Sequence, residues 1–527
     1  MTMMICETCG TSQMNRLRIS IAGFLVVFSE LLCLGSGCFG AEKNIILFVT
    51  DDEGPTLGRY GDPVAKTPNI DSLAADGMRF TNAFATTASC SASRSVILSG
   101  LHNHKTGQYG HQHHFHKFVS YLDLVSLSLP RALSRSGYRT ARCGKYHVAP
   151  EVVYHFDETI GASCRNPVEM ADQCRDFIAD RKDDRPFFLY MATCDPHRGG
   201  GTNNNSNLEL KPNLFGNLPD GKSRPGVSEV IFDPAEVPVP AFLPDTPETR
   251  SELAEYYQSC SRIDSGIGQL IEILKAADLY DKTIIVFTAD HGMAFAGAKT
   301  TVYEPGLNVP FVVRNPYVQN RGVVSEAMIS HVDVTPSLLD FGGALNQKTN
   351  GPEQVLDAKA FWKEQGGGTM FAENRNGGYK FDSYHGKSWV SVLNDPEKAH
   401  HESIFASHTF HEIQMYYPMR VFRDKKYKLI WNIANKLDYP FASDLWAASS
   451  WQAQQRKGDE APYGVRTVAE YVHRPPFELY DMESDPDESN NLAEDPAYKK
   501  TLDEYCERMK KTQVVLEDPW VSKWNYE

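Results

Sequence analysis

Four short apolar runs in this sequence each break off into residues that could do chemistry. Asn44–Thr50 (NIILFVT) is followed at once by Asp51 and Asp52, and Thr283–Thr288 (TIIVFT) leads to Asp290 and His291. Tyr138–Cys143 (YRTARC) leads to Lys145 and His147, and Arg185–Thr193 (RPFFLYMAT) leads to Asp195 and His197. Asp51, Asp52 and Asp290 are hard oxygen donors, which favour Ca²⁺ or Mg²⁺; His291 adds an imidazole, which also suits zinc. Adjacent carboxylates such as Asp51 and Asp52 repel one another unless a cation joins them. Lys145 can stabilise an anion, and His197 has a reference pKa suited to proton transfer near neutrality. Taken singly, each cluster is an ordinary polar loop after a strand. Four of them, each with acid, His or Lys, point to a site.

The elements that must position these residues are legible in the same runs. Continuous apolar stretches of this length suit strands buried on both faces. Helical patterns lie between them, among them 247–277, with Thr246 as N-cap and Pro247 in the first helical position. The alternation predicts an α/β fold: a large, mostly parallel or mixed sheet sandwiched by helices. In such sheets ligands bind beyond the carboxyl ends of the strands, so the four clusters can converge on one edge. Residues 199–227 and 342 to about 387 read as long loops. Beyond the second, Ser403–Ser407, Pro418–Phe422 and Lys426–Trp431 read as short strands of an antiparallel sheet. The expected organisation is a leader over 1–40, a catalytic domain over 41–395 and a smaller C-terminal α+β domain over 396–527.

Composition sets the outer limits. The 527 residues carry 53 Lys plus Arg against 67 Asp plus Glu, a net charge of −14. That balance excludes a general nucleic-acid binder, which would show a basic stripe. A hydrophobic fraction of 41% with 23% charged residues excludes a disordered chain. Residues 21–34 form an apolar run after Arg16 and Arg18, too short and too interrupted by Glu30 to span a membrane. With the small residues that follow, they read as a secretory signal, in preference to a lipid anchor at Cys38. The expectation is export to a periplasmic, extracellular or lysosome-like space, without a transmembrane segment. Cys6 and Cys9 form a lone CxxC upstream of that signal, too little for a metal site. Of 11 cysteines, seven follow the leader. An odd count directs attention to a thiol with a job; Cys164–Cys174 is a pairing suggested by proximity alone.

That thiol is Cys90, in the segment Cys90-Ser91-Ala92-Ser93-Arg94-Ser95-Val96-Ile97-Leu98-Ser99-Gly100. The segment resembles the type I sulfatase signature, Cys-x-Pro/Ala-x-Arg followed by Leu-x-Gly. VTDDEG before it resembles that family's metal loop, and TPNIDSLAADGMRFTNAF its usual lead-in; GKYH, DPH and TADHG resemble its later motifs in the same order. ELYDMESDPDESNNLAEDP resembles its C-terminal strand and tail, so the likeness runs from Lys43 to Trp520. Within the family, GKYHVAPEVVYHFD, DDRPFFLYMATCDPHRGG and FASHTFHEIQMYYPMR are most similar to the sulfamidase (heparan N-sulfatase) branch. The His-rich GLHNHKTGQYGHQHHFHKF and the terminal EDPWV add to that narrower likeness.

The resemblance implies an alkaline-phosphatase-like fold and a definite chemistry. Cys90 is oxidised to formylglycine by a formylglycine-generating enzyme, and the aldehyde is hydrated to a geminal diol. One hydroxyl attacks sulfur and displaces the amine; the second expels sulfate and restores the aldehyde. Asp51, Asp52, Asp290, His291 and residue 90 hold one divalent cation, Ca²⁺ in preference to Mg²⁺. Arg94 reaches back to the diol, Lys145 and Lys299 hold sulfate oxygens, His147 bonds residue 90, and His197 protonates the leaving nitrogen. Residue 90 would sit at a helix N-terminus, where the dipole favours an anion. Asp195, His411 and Glu412 are candidate sugar contacts. The implied substrate is N-sulfoglucosamine at the non-reducing end of a heparan-like glycan, and a homodimer is the implied assembly.

The sequence departs from that pattern at three points. Ala92 replaces the more usual Pro, His291 stands where the sulfamidase branch has Asn, and Lys299 where it has Arg, which loses bidentate geometry. An O-sulfatase on another polysaccharide, a phosphoester or phosphonate hydrolase, and a non-catalytic glycan-binding relative are the alternatives. His102, His104, His111, His113, His114 and His116 read as a pocket-lining loop in preference to a second metal tract. The acidic balance does not exclude an anionic substrate, because a bound dication reverses the local effect of its ligands. It fits recognition of a small chain end better than wrapping along a polyanion.

Overall fold

A computed structural model describes residues 43–113, 117–180, 182–345 and 383–526. The leader, with Cys6, Cys9, Cys33 and Cys38, lies outside the described residues, as do His114, His116 and most of the second long loop. Among the described residues no helix is long and apolar enough to cross a membrane.

In chain order the strands of the core are β1 (Asn44–Thr50), β2 (Met78–Phe80), β3 (Ala83–Phe84), β4 (Arg139–Gly144), β5 (Glu158–Ile160), β6 (Phe187–Ala192), β7 (Thr283–Ala289), β8 (Phe311–Arg314), β9 (Val323–Ser325) and β10 (Ile329–Ser330). Eight of them form one sheet in the order β5-β4-β6-β1-β7-β8-β2-β9. The run from β5 to β7 is parallel, and β8 lies antiparallel to both β7 and β2. β3 and β10 pair separately.

The apolar runs are strands because each of their faces has something to bury against. Ile45, Leu47 and Val49 of β1 join a core that includes Leu133, Leu338 and Trp389. Ile46 and Phe48 face the opposite way, onto Ile263, Ile267 and Leu274 of the helix Pro247–Ala276. A strand with helices on both faces needs no polar alternation. The long helix starts as expected: Pro247 takes its first turn, and the Thr246 hydroxyl accepts the Thr249 N–H at 3.2 Å.

The later strands are β11 (Ser403–His408), β12 (Met419–Asp424), β13 (Tyr427–Asn432), a small hairpin β14 (Pro462–Tyr463) and β15 (Arg466–Thr467), and β16 (Phe477–Asp481). β11-β12-β13-β16 is the antiparallel sheet expected after the second loop. One face packs Phe405, Phe422, Leu429 and Leu479 on Tyr505 and Met509 of the helix Lys499–Val515. The other packs Ile404, Val421 and Ile430 into a cluster with Phe84, Tyr303 and Leu307 of the core.

The disulfide joins Cys164 to Cys194, not to Cys174. Cys194 follows β6, and its backbone N–H bonds the Cys164 carbonyl at 2.8 Å, which brings the two side chains together. Cys174 is buried beside Cys143.

Candidate active site

The four polar clusters meet because β4, β6, β1 and β7 are adjacent and parallel. Their carboxyl ends therefore deliver Lys145 and His147, Asp195 and His197, Asp51 and Asp52, and Asp290 and His291 side by side. Gly144 closes β4 at φ +86, where any side chain would run into the Ala192 backbone of β6. Asp52, His147 and Thr300 hold positive φ without being glycine. Conformations of that kind persist where the surroundings over-determine them, and they cluster at functional sites.

Cys90 opens the fully buried helix Cys90–Ile97. Its thiol donates to Asp52 Oδ1 at 3.5 Å and lies 3.4 Å from His291 Nε2. Burial pushes this thiol well above the ordinary range; Asp51 and Asp52 push the same way, against Lys145. One turn along, Arg94 is also fully buried and spans two carboxylates. Its Nε donates to Asp290 Oδ2 at 3.0 Å and its Nη2 to Asp51 Oδ1 at 3.1 Å. Its Nη1 donates to the Tyr190 hydroxyl at 3.0 Å. Ser93 donates to the Asp290 carbonyl at 2.5 Å, which ties the helix to the end of β7.

The charges around Cys90 alternate. Lys145 Nζ lies 2.5 Å from Asp51 Oδ2, and Lys299 Nζ lies 2.8 Å from Asp52 Oδ2. Burial opposes ionisation of Asp51, but Lys145, His197 and Arg94 outweigh it and hold the carboxyl well below its ordinary value. Asp52 is lowered in the same way, chiefly by Lys299. Asp290 goes the other way: burial, with Asp51 and Asp52 nearby, pushes it up to about 6 despite Arg94.

Asp52, Cys90, Asp290 and His291 bring their donor atoms within 4.8 Å of one another, which is the geometry a cation needs. His291 carries the best local evidence. Its Nδ1 donates to the Gly292 carbonyl at 3.0 Å, which leaves Nε2 as an acceptor in the neutral ring. That acceptor faces Asp52 Oδ1 at 3.1 Å and Asp290 Oδ1 at 3.9 Å. A lone pair aimed at two carboxylates is stable when a cation stands among them, so the residues present fit a divalent ion.

His197 and Lys299 form the wall opposite. Lys299 Nζ donates to His197 Nε2 at 2.9 Å, while His197 Nδ1 donates to the Arg198 carbonyl at 2.5 Å. Desolvation and the neighbouring ammonium both push His197 below its ordinary value. Burial would lower Lys299, yet Asp444 and Asp52 outweigh it and raise the ammonium well up.

Several expected roles are placed differently. Asp195 does not face the pocket: its fully buried carboxylate is held by Arg262 at 2.8 Å and Arg165 at 2.9 Å. Both oxygens are committed to guanidinium groups, so sugar contact through them is not offered. His147 does not bond residue 90; its Nε2 pairs with His113 Nδ1 at 2.9 Å. His411 is buried, with Nδ1 3.0 Å from Ser89 Oγ, next to Cys90, and Nε2 2.8 Å from His111 Nε2. Glu412 accepts from Ser443 at 3.0 Å and from Gln414 at 2.5 Å. His111, His113 and His147 do gather near the pocket, but His102 and His104 stack on each other and beside His385.

Three buried or half-buried residues near the strand ends escaped the sequence reading. Asp444 reaches Lys299 from the one-turn helix Ser443–Trp446, too short to leave a periodic signal in the sequence. Tyr190 sits inside an apolar run and looks like core. Glu53 is fully buried with neither oxygen hydrogen-bonded, and desolvation pushes it up to about 8. Only Glu53 had a signal, as the third acid of the Asp51-Asp52-Glu53 run.

Parallel strands whose edge presents buried carboxylates, two lysines and a helix-borne Cys-x-x-x-Arg define a hydrolase-type site with a candidate cation-binding group. The sulfatase family model matches residues 43–344. Human N-sulphoglucosamine sulphohydrolase is 35% identical over 506 residues, covering 93% of each chain. An ulvan-active sulfatase of Formosa agariphila is 26% identical over 500 residues, covering 91% of this chain and 82% of its own. A protein solved with its substrate D-glucosamine-2-N,6-O-disulfate superposes with a TM-score of 0.59 at 20% identity, covering 91% of this chain and 99% of the other. The chain belongs to the sulfatase family.

Proposed function

We propose that this protein hydrolyses the N–S bond of N-sulfoglucosamine at the non-reducing end of heparan-like glycans. The observation that carries the reading is the 35% identity to human N-sulphoglucosamine sulphohydrolase, sustained over 93% of both chains. Formylglycine, made from Cys90, would supply an oxygen nucleophile that later releases sulfate and regenerates itself. A divalent cation, Ca²⁺ on the oxygen-rich donor set, would be held by Asp51, Asp52, Asp290 and His291 and would neutralise sulfate charge.

This chain's own residues do the rest. Arg94 holds Asp51 and Asp290 in place and positions the first turn of the nucleophile's helix. Lys145 and Lys299 flank residue 90 and turn toward the sulfate oxygens once an anion competes with Asp51 and Asp52. His197, whose Nε2 accepts from Lys299 at rest, is the residue that would protonate the leaving nitrogen once Lys299 turns to the sulfate. His147 and His113 form a paired imidazole wall for the sugar.

The same resemblance supports maturation by a formylglycine-generating enzyme, export, a homodimer and a division into domains 41–395 and 396–527. The Cys164–Cys194 disulfide suits an oxidising compartment.

The test supplies the purified protein with N-sulfated and with 6-O-sulfated glucosamine. Free amine and sulfate in equal amounts from the first support the proposal. Sulfate from the O-sulfated sugar alone sinks it in favour of an O-sulfatase, the activity that the ulvan-active relatives make the second reading. Mass analysis of the peptide containing residue 90 reads the modification directly; an unmodified thiol in native protein would favour a glycan-binding relative.

A further inference from the structure

We propose that Asp333, His400 and His401 form a second metal site, sharing no residue with the carboxylate site, that takes a transition-metal dication of the zinc type. Their donor atoms all lie within 4.8 Å of one another. His401 Nε2 is 2.9 Å from each Asp333 oxygen, and His400 Nε2 is 3.4 Å from Asp333 Oδ2. Two imidazole nitrogens thus converge on one carboxylate.

The decisive atom is His400 Nε2. It is buried and lies 3.4 Å from that carboxylate, an ion-pair approach whose geometry falls short of a hydrogen bond. An unsatisfied polar atom in the interior is unfavourable and rare in native proteins. A proton on this nitrogen would give it poor geometry toward an oxygen already served by others; a metal ion would satisfy it without moving the chain.

The carboxylate is prepared as a ligand. Ser330 N–H donates to Asp333 Oδ2 at 2.8 Å, and Lys387 N–H donates to Oδ1 at 2.9 Å. Backbone donors of this kind orient a ligand and leave its other lone pairs free for a metal. Two imidazoles and one carboxylate select zinc over calcium, and they leave a fourth position for water. Ligand bonds of about 2.0–2.2 Å in a tetrahedron place donor atoms about 3.3–3.5 Å apart. The observed 2.9 and 3.4 Å separations need only small ring rotations to reach that. His401 keeps 20% of its side chain exposed, which gives the ion a way in.

The site's position gives it a task. Asp333 closes the 3-10 turn His331–Asp333 that leads into the helix Val334–Phe341. His400 and His401 directly precede β11, and the His401 N–H bonds the Met328 carbonyl at 3.1 Å. An ion here would staple the approach to the second sheet onto the core. His331, two residues from Asp333, touches Ser93 of the nucleophile's helix at 3.2 Å. The staple would therefore steady the active site from behind without entering it.

The test uses the full chain, stripped with a chelator, resupplied with Ca²⁺ and titrated with Zn²⁺. Zinc bound per chain and the thermal midpoint are measured. One equivalent of zinc with a raised midpoint is expected. His400→Gln should weaken zinc binding about tenfold or more while moving the zinc-free midpoint much less, because without the ion Nε2 makes only a long 3.4 Å approach to Asp333. No zinc uptake by the wild type overturns the proposal. So does zinc that survives His400→Gln but is lost in His113→Gln, which would assign it to the imidazoles near the pocket. Should His400→Gln fail to fold, Co²⁺-loaded wild-type crystals decide: an anomalous peak within bonding distance of His400 Nε2 supports the site, and its absence overturns it.

Discussion

The ammonium of Lys299 and the carboxylate of Asp444 meet at 2.9 Å across 145 residues of chain. Lys299 is fully buried and also pairs with Asp52, so two carboxylates hold one cation. Asp444 is released to solvent over about a quarter of its side chain. Lys299 can thus give up one partner to an incoming sulfate and keep the other.

Asp444→Asn should leave Asp52 as the one carboxylate partner of Lys299 in the site. We expect a fall of about tenfold in kcat/KM, on the order of 1.4 kcal/mol of transition-state stabilisation. Lys299→Met removes the charge itself and should lower kcat/KM by about a hundredfold or more. Steady-state rates on an N-sulfated monosaccharide measure both. Equal activity in wild type and Asp444→Asn would remove Asp444 from the positioning of Lys299.

Arg94→Met would leave Asp51 and Asp290 without the guanidinium that spans them. Breaking a buried pair by removing one partner costs about 3–5 kcal/mol, because the remaining charge stays buried. Denaturant unfolding should show that loss, and Arg94→Lys should recover only part of it, since an ammonium cannot bridge both acids. A variant as stable as wild type would contradict the bridging role.

Metal removal should destabilise the fold. Chelation leaves Asp52 and Asp290 crowded with His291 Nε2. The thermal midpoint should fall by several degrees and activity should drop to background; Ca²⁺ should restore both, and Mg²⁺ less well. Scanning calorimetry with stepwise metal return reads the result.

Stability should also fall on mild acidification. Burial first, with Arg420 and Lys105 behind it, pushes His104 down to about 4, while His102 and His385 beside it are lowered as well. An unfolded His titrates near 6.5. Between about 6.5 and 4 the unfolded chain therefore binds a proton that the folded chain refuses. Stability rises with pH through this window and is lost as pH falls, by about 3 kcal/mol at most from His104. His104→Gln, which can still donate to the Leu516 carbonyl, should flatten the slope of thermal midpoint against pH.

The fold was legible because its signals are local. Continuous apolar runs identified β1, β6 and β7, and the Thr246-Pro247 pair marked the start of the long helix to the residue. The register of β4 slipped by one residue, since YRTARC has too few apolar positions to mark its ends. The cysteine pairing failed because spacing along the chain says nothing about where β6 carries Cys194.

By itself the sequence determined the sulfatase signature at Cys90 and Arg94, the four polar strand ends and the acids able to hold a cation. These depend on residue type and short spacing, which no distant contact can change. Only the tertiary structure decided which of two similar acids serves. Asp290 and Asp195 both follow a buried parallel strand, yet Asp290 turns to Arg94 and the helix Cys90–Ile97, while Asp195 is drawn to Arg262 and Arg165. It likewise brought Asp444 to Lys299 and both His400 and His401 to Asp333. A carboxylate's task is set by the cation nearest to it, and in a folded chain that cation comes from anywhere in the sequence.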